Sequence, residues 1–222
     1  MKVVKNFELN IANQEFIENK NGIMICGYEW GFSKEDQQSE RDGVYTQENK
    51  SFFSDESVND YPYRNRIVSW LEFLGLPLNS QNAGVVEKSI VQTNWMDSQD
   101  YKVEGDIYIR LREQKQNFLN HLEYFKPKIV LFFGVRQLEV LNKEILKDVE
   151  HIFGKTTKKE RYIQKDVTNC KKYRIGFQSF ENSEIIAFPH PATRGGICDS
   201  YIELYKDEVK PIFDMFLNQN KK

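Results

Sequence analysis

Apolar residues along this chain gather into four short runs, each closed by Gly, Asn or Pro: Ile23–Cys26, Ile90–Val91 leading to Thr93-Asn94, Ile129–Phe133 and Ile185–Phe188. Runs rich in Ile, Val and Phe without polar alternation suit strands buried on both faces, as in a parallel sheet covered by helices. Between them lie stretches with apolar spacings of three and four. Tyr63–Leu74 carries Ile67, Trp70, Leu71 and Leu74, then stops at Gly75 and Pro77. Ile107–Phe125 runs into Lys126-Pro127, where the proline marks a helix end. Val135–Val149 repeats Leu138, Leu141, Ile145 and Val149, and Tyr201–Leu217 repeats Ile202, Tyr205, Val209, Ile212, Phe213 and Phe216 across Pro211. Strands alternating with helices predict an α/β fold, a three-layer α/β/α sandwich on a central, mostly parallel four-stranded sheet.

The segment Gly154–Arg174 breaks this pattern with eight Lys or Arg against Glu160 and Asp166. Alternation around Arg161–Val167 and Tyr173–Phe177 predicts a β-hairpin arm over about 154–175. It reads either as a solvated surface hairpin or as a phosphate-contacting arm using Lys158, Lys159, Lys171 and Lys172.

Composition narrows the picture. The 222 residues, 40% hydrophobic and 14% aromatic, suit one domain over 1–222 with a substantial core. A formal charge of −2 excludes a general polycation, so any nucleic-acid contact must come from a local patch. Cys26, Cys170 and Cys198 are too scattered for a disulfide framework, a zinc site or an iron–sulfur cluster, and read as reduced thiols. No metal and no cofactor is expected. Met1–Lys20 has no apolar run after its first basic residues, and the longest apolar stretches are far too short to span a bilayer, so a cytoplasmic protein without a membrane partner is expected. Gly154-Lys155-Thr156 is not a P-loop, because the first glycine of that motif would fall on Val149 and no strand ends there.

In open α/β sheets, ligand sites lie just beyond the carboxyl ends of the strands. The first run leads into Gly27-Tyr28-Glu29-Trp30-Gly31, two glycines flanking a carboxylate. The second leads into Gln92-Thr93-Asn94-Trp95, where the Asn94 amide can both donate to and accept from a nucleobase edge. The fourth leads into Pro189-His190-Pro191-Ala192-Thr193-Arg194-Gly195-Gly196. Proline on both sides of His190 stiffens the backbone that presents the imidazole. Taken alone, each of these also reads as structural: a turn, a cap or a core histidine.

Together, in this order, they resemble the uracil-DNA glycosylase superfamily. Its first motif reads Gly-x-Asp/Asn-Pro-Gly/Tyr and its last begins His-Pro-Ser; an aromatic residue ahead of the next helix, here Phe52 or Phe53 in Ser51–Ser54, stacks on the extruded base. Glu29 stands where the family has Asp or Asn, Trp30 replaces Pro, and Ala192-Thr193 replace Ser-Pro. Gly31 occupies the position of the tyrosine that excludes thymine, so that gate is absent. The resemblance implies a glycosylase that removes uracil or a modified pyrimidine from DNA, in base-excision repair or in defence against phage DNA with modified cytosines. No lysine sits in a motif for Schiff-base lyase chemistry, so a monofunctional enzyme is expected, and a monomer. Glu29 and His190 would be catalytic, the first orienting or activating water and the second donating to the departing base. Tyr28, Asn94 and Phe52 or Phe53 would hold the base, and Arg194 and Gly195 would press on the DNA. Two alternatives stay open: a nucleoside deoxyribosyltransferase or hydrolase, and a non-catalytic nucleic-acid-binding protein of the same fold.

Overall fold

The structure, a computed structural model, describes residues 2–4, 7–9, 20–31, 38, 39, 41–43, 62–76, 89–100, 105–166, 172–191 and 197–219. The strands among the described residues are β1 (Lys2–Val4), β2 (Phe7–Leu9), β3 (Ile23–Gly27), β4 (Trp30–Gly31), β5 (Ile90–Asn94), β6 (Gln99–Asp100), β7 (Ile129–Phe133), β8 (Thr156–Gln164), β9 (Arg174–Phe180) and β10 (Glu184–Phe188). The main sheet has six strands in the order β5-β3-β7-β10-β9-β8. The first four run parallel, and β9 and β8 continue the sheet antiparallel beyond β10. Pairs β1-β2 and β4-β6 form two small separate sheets.

All four predicted strands are present and parallel, so the α/β reading holds. The four-stranded count is corrected to six. The edge of β10 would otherwise present a row of unpaired N–H and C=O groups; β9 covers it, with Ile175–Phe180 buried throughout. The sheet's outer edge passes to β8, where Thr157 to Arg161 are exposed. Lysines on an edge strand discourage pairing with another chain. The solvated-hairpin reading therefore describes β8, while β9 is an interior strand.

Helices cover both faces. On one face lie α1 (Pro62–Phe73), α6 (Asp199–Glu203) and α7 (Lys206–Gln219), packing Ile67, Trp70, Leu71, Ile202, Val209 and Phe213 on Ile25, Leu131, Phe133 and Phe188. On the other lie α2 (Ile107–Glu113), α3 (Lys115–Phe125), α4 (Val135–Val140) and α5 (Leu146–Phe153), packing Leu111, Phe118, Leu122, Leu138 and Val149 on Met24, Cys26, Val130 and Phe132. Each fully buried Ile, Leu or Phe contributes about 1.5–3 kcal/mol, so two such faces account for much of the drive to fold. Two predicted helices are broken: Ile107–Phe125 divides at Gln114, and Tyr201–Leu217 divides after Glu203. A π turn over Leu141–Ile145 joins α4 to α5. It accompanies a reciprocal amide pair between Asn142 and Gln178 of β9, at 2.8 and 2.9 Å.

Cys26 is a buried free thiol, whereas Cys198 is disulfide-bonded. The reading as a reduced thiol holds for Cys26 and is corrected for Cys198, because spacing along a chain does not report proximity in the fold; Cys170 lies outside the described residues. Among the described residues, no helix is long and apolar enough to cross a membrane.

Candidate functional site

From β3 the chain crosses to β5 on one side, and from β5 it returns to β7 on the other. The carboxyl ends of β3 and β7 therefore flank the topological switch point, where such sheets open a crevice. Tyr28 leaves β3 here and lays its ring over Gly134, the residue after β7. A Cβ on Gly134 would stand 2.2 Å from Tyr28 Cζ, so only glycine admits the ring. The Tyr28 hydroxyl accepts from the backbone N–H of Arg136, and burial is the main reason its pKa rises to about 12. It is a neutral phenol at physiological pH.

The turn that aims Tyr28 is fixed from two sides. Trp95 N–H donates to Gly27 O and Met96 N–H to Tyr28 O, each at 2.9 Å. From α4, buried Gln137 donates its Nε2 to Gly27 O at 2.7 Å. Gly27 is needed for a second close approach: a Cβ there would lie 2.3 Å from Asn94 Oδ1 and 3.2 Å from Tyr63 Oη. Asn94, at the end of β5, is 6% exposed, and its carbonyl accepts from Asn117 Nδ2 at 3.2 Å. Its side-chain amide makes no hydrogen bond among the described residues.

His190 follows the end of β10. Its ring stacks on Tyr28, with centroids 5.7 Å apart and planes 8° apart, and meets Tyr63 at 5.5 Å and 43°. Arg66 of α1 donates to the carbonyl of Pro191 at 2.5 Å, and Trp70 Nε1 donates to Asp199 at 2.9 Å, tying the loop's exit to the same helix. Burial lowers the His190 pKa from 6.5 to about 4, so the imidazole is neutral at pH 7 and offers one N–H.

Glu29 is pinned. Arg110 of α2 grips both carboxylate oxygens, one at 3.3 Å and the other more closely, and Ser98 Oγ donates to Oε2 at 3.0 Å. The Glu29 side chain is 4% exposed. A carboxylate so engaged is held in place by partners from two other segments of the chain.

The structure thus brings Tyr28, Asn94 and His190 together, with Glu29 beside Tyr28 in an ion pair. Lys158 and Lys159 lie elsewhere: Lys158 is level with Ser179, which faces Glu184 at the amino end of β10. Lys172 pairs with exposed Asp166 at 2.5 Å. Phe52, Phe53, Lys171, Arg194 and Gly195 lie outside the described residues. The sequence did not point to Tyr63, Arg110 or Gln137. Of these, Gln137 carried a signal, standing four residues before Leu141 and eight before Ile145, a polar group within an apolar stripe. Among the described residues, no three His, Cys, Asp or Glu side chains gather as a metal site.

No family model matches this chain, and no curated protein matches it.

Proposed function

We propose that this chain is a monofunctional DNA glycosylase. It hydrolyses the N-glycosidic bond of a flipped-out uracil or modified pyrimidine and leaves an abasic site. The observation that carries this reading is the meeting of a neutral His190, the Asn94 amide and the rings of Tyr28 and Tyr63 at the switch point.

Breaking the bond between C1′ and the base nitrogen leaves positive charge on the sugar and negative charge on the departing base. Water oxygen bonds to C1′, and the proton it sheds is free to neutralise the base. A neutral imidazole suits the leaving group: His190 donates a hydrogen bond that strengthens as the base becomes anionic, without the cost of burying an imidazolium. Asn94 reads a carbonyl and an adjacent N–H on the base edge. Tyr28 and Tyr63 wall the site and exclude water. Glu29 contributes fixed negative charge toward the sugar cation, set in place by Arg110. Extrusion of the nucleotide costs a few kcal/mol of stacking, which aromatic contact and phosphate contacts offset. DNA is the partner, the protein acts as a monomer in the cytoplasm, and its setting is base-excision repair or defence against modified phage DNA. The disulfide at Cys198 is the feature that sits least well with a cytoplasmic site.

A second reading, a nucleic-acid-binding protein without catalysis, is favoured by one observation, the engagement of both Glu29 oxygens. One assay separates the two. Purified protein is incubated with single- and double-stranded DNA carrying uracil, hydroxymethylcytosine or its glucosylated form, and abasic sites are counted. Abasic sites on one substrate, lost in His190→Ala, support the glycosylase. Salt-sensitive DNA binding with no abasic site on any substrate supports the silent binder.

A further inference from the structure

We propose that Arg136 and Arg174 form a clamp for a backbone phosphate beside the crevice, a role that rests on the reading of DNA as the ligand. The two side chains come from different elements, α4 and β9, and meet on one carboxylate. Arg136 reaches Glu139 at 3.2 Å, and Arg174 pairs with the other oxygen of the same group. Glu139 is 11% exposed, while the arginines remain 48% and 46% exposed. Each guanidinium is also braced on a ring, Arg136 at 4.6 Å from the centroid of Tyr108 and Arg174 at 4.7 Å from that of Tyr162. The Tyr108 hydroxyl completes the cluster, bonded to both Glu139 and Arg136.

Two positive charges against one negative leave a net positive site whose geometry is already set. A guanidinium carries five N–H donors in a planar fork that matches phosphate oxygens. Among the described residues, Arg174 spends its donors on Glu139 alone, and the side chain of Arg136 on Glu139 and Tyr108. The remaining donors have no partner among the described residues, on side chains that are about half exposed. Surface arginines not held in this way would lose side-chain entropy on meeting a phosphate; these have largely lost it.

Position joins the clamp to the crevice. Arg136 lies two residues past Gly134, under the Tyr28 ring, and both Arg136 and Glu139 bear on the titration of the Tyr28 hydroxyl. In β9, Gly176 is opposite Ala187, so Arg174 stands level with Pro189, next to His190. Its neighbour Tyr173 is anchored through its N–H to Tyr201 Oη at 3.1 Å. A phosphate held between the two arginines would therefore sit beside the Tyr28–His190 pair, where the backbone of an extruded nucleotide must pass.

The test measures affinity of the full chain for a labelled duplex across a salt series, by fluorescence anisotropy. One neutralised phosphate predicts that Arg136→Gln with Arg174→Gln lowers the slope of log affinity against log salt by about 0.9. Lys158→Gln with Lys159→Gln leaves the slope unchanged. An unchanged slope in the arginine pair overturns the clamp. Arg136→Lys with Arg174→Lys retains the contact to Glu139, and guards against misfolding of the glutamine pair. It keeps the slope and weakens binding at least threefold, because a lysine cannot offer the fork; undiminished affinity overturns the clamp. Inorganic phosphate is the second arm. Stabilisation of the wild type by millimolar phosphate, lost in the glutamine pair while the DNA slope stays put, assigns the site to a free phosphate and overturns the backbone role. Base excision is scored separately. Wild-type abasic sites with an unchanged arginine slope sink the clamp alone, and a reduced slope without abasic sites sinks the glycosylase alone.

Discussion

At the amino ends of the parallel strands, Lys158, Lys159, Glu184 and Met215 surround a cavity of about 210 Å³. At the carboxyl ends, β3, β5 and β10 together with α1, α2 and α4 deliver Tyr28, Glu29, Asn94, His190, Tyr63, Arg110 and Gln137. Both ends have charge. They differ in how each group is held. Lys158 and Lys159 are exposed side chains on an edge strand, with wide freedom and a sufficient reason to be there in protecting that edge. Apart from the Asn94 amide, each group at the carboxyl end is held by a named partner from another element, at the cost of two bare glycines and a part-buried ion pair. Charge and concavity alone do not locate a site; convergence with fixed geometry does.

The largest expected effect tests whether the carboxyl end is as tightly built as this contrast requires. Arg110→Ala takes the cation from a Glu29 side chain that is 4% exposed; the pair is part-buried, so the cost is about 3 kcal/mol, the low end of the range for buried pairs. A urea titration should show the midpoint fall accordingly. A loss below about 1 kcal/mol would class the pair with ordinary surface ion pairs and erase the distinction between the two ends.

Next is pH, where two histidines share one shift for different ends. Burial lowers His121 and His190 alike, from 6.5 to about 4. Folded protein therefore binds fewer protons than the unfolded chain between these values, so stability rises with pH across that window. The contribution is complete above about pH 6.5 and is lost as pH falls toward 4, about 3 kcal/mol for fully buried His121. Urea midpoints from pH 4 to 7 in wild type and His121→Gln would measure it. Base excision should instead stay flat from about pH 5 to 8, since the donor at His190 is neutral throughout. A rate that falls through pH 6.5 would identify an imidazolium acid and refute the neutral donor.

His190→Ala should reduce abasic-site formation at least about 100-fold, the scale of one lost donor at a developing anion. His121 packs in the core with Thr93 Oγ1 3.3 Å from its Nδ1. Its replacement should lower stability and spare the rate per folded molecule. Gly134→Ala comes next: a methyl 2.2 Å from Tyr28 Cζ must displace the ring, an overpacking of about 1–3 kcal/mol. Calorimetry would register the loss, and a neutral substitution would show that Tyr28 does not fill the crevice in solution.

How far the sequence could reveal this follows from what each element has to bury. β3, β7 and β10 are covered on both faces, so each reads as a largely apolar run, whereas β5 at the sheet edge shows only Ile90-Val91 before Gln92-Thr93-Asn94. β9 is equally buried, yet its Gly176, Gln178 and Ser179 hide the fact, because Gly176 yields to Leu138 and Tyr162 and Gln178 is satisfied by Asn142. At the site, the strand-end rule reached Tyr28, Glu29, Asn94 and His190, which follow their strands directly. Tyr63, Arg110, Arg136 and Arg174 arrive on helices or from an antiparallel strand, whose patterns report only an amphipathic face. That Glu29 belongs to Arg110, 81 residues away, is a fact of tertiary structure that no local spacing encodes.

The smallest expected effect is the most discriminating for the basic arm. Counting charge along the chain puts Lys158 and Lys159 in the same arm as Arg174, and sequence alone has no means to say which end of the sheet each reaches. The antiparallel register does: Lys158 is level with Ser179 and the start of β10, whereas Arg174 is level with its finish. A strand rises about 3.4 Å per residue, so five residues of β10 separate the two by more than a Debye length at physiological salt. Lys158→Ala with Lys159→Ala should thus change stability by no more than about 0.5 kcal/mol, as exposed substitutions do, and leave both DNA affinity and base excision intact. What it should cost is solubility, because it strips β8 of the charges that keep its open edge from pairing. Light scattering at rising protein concentration reads that directly. Aggregation with full activity would fix these lysines as edge protection, and lost DNA binding with full solubility would return them to the nucleic-acid surface.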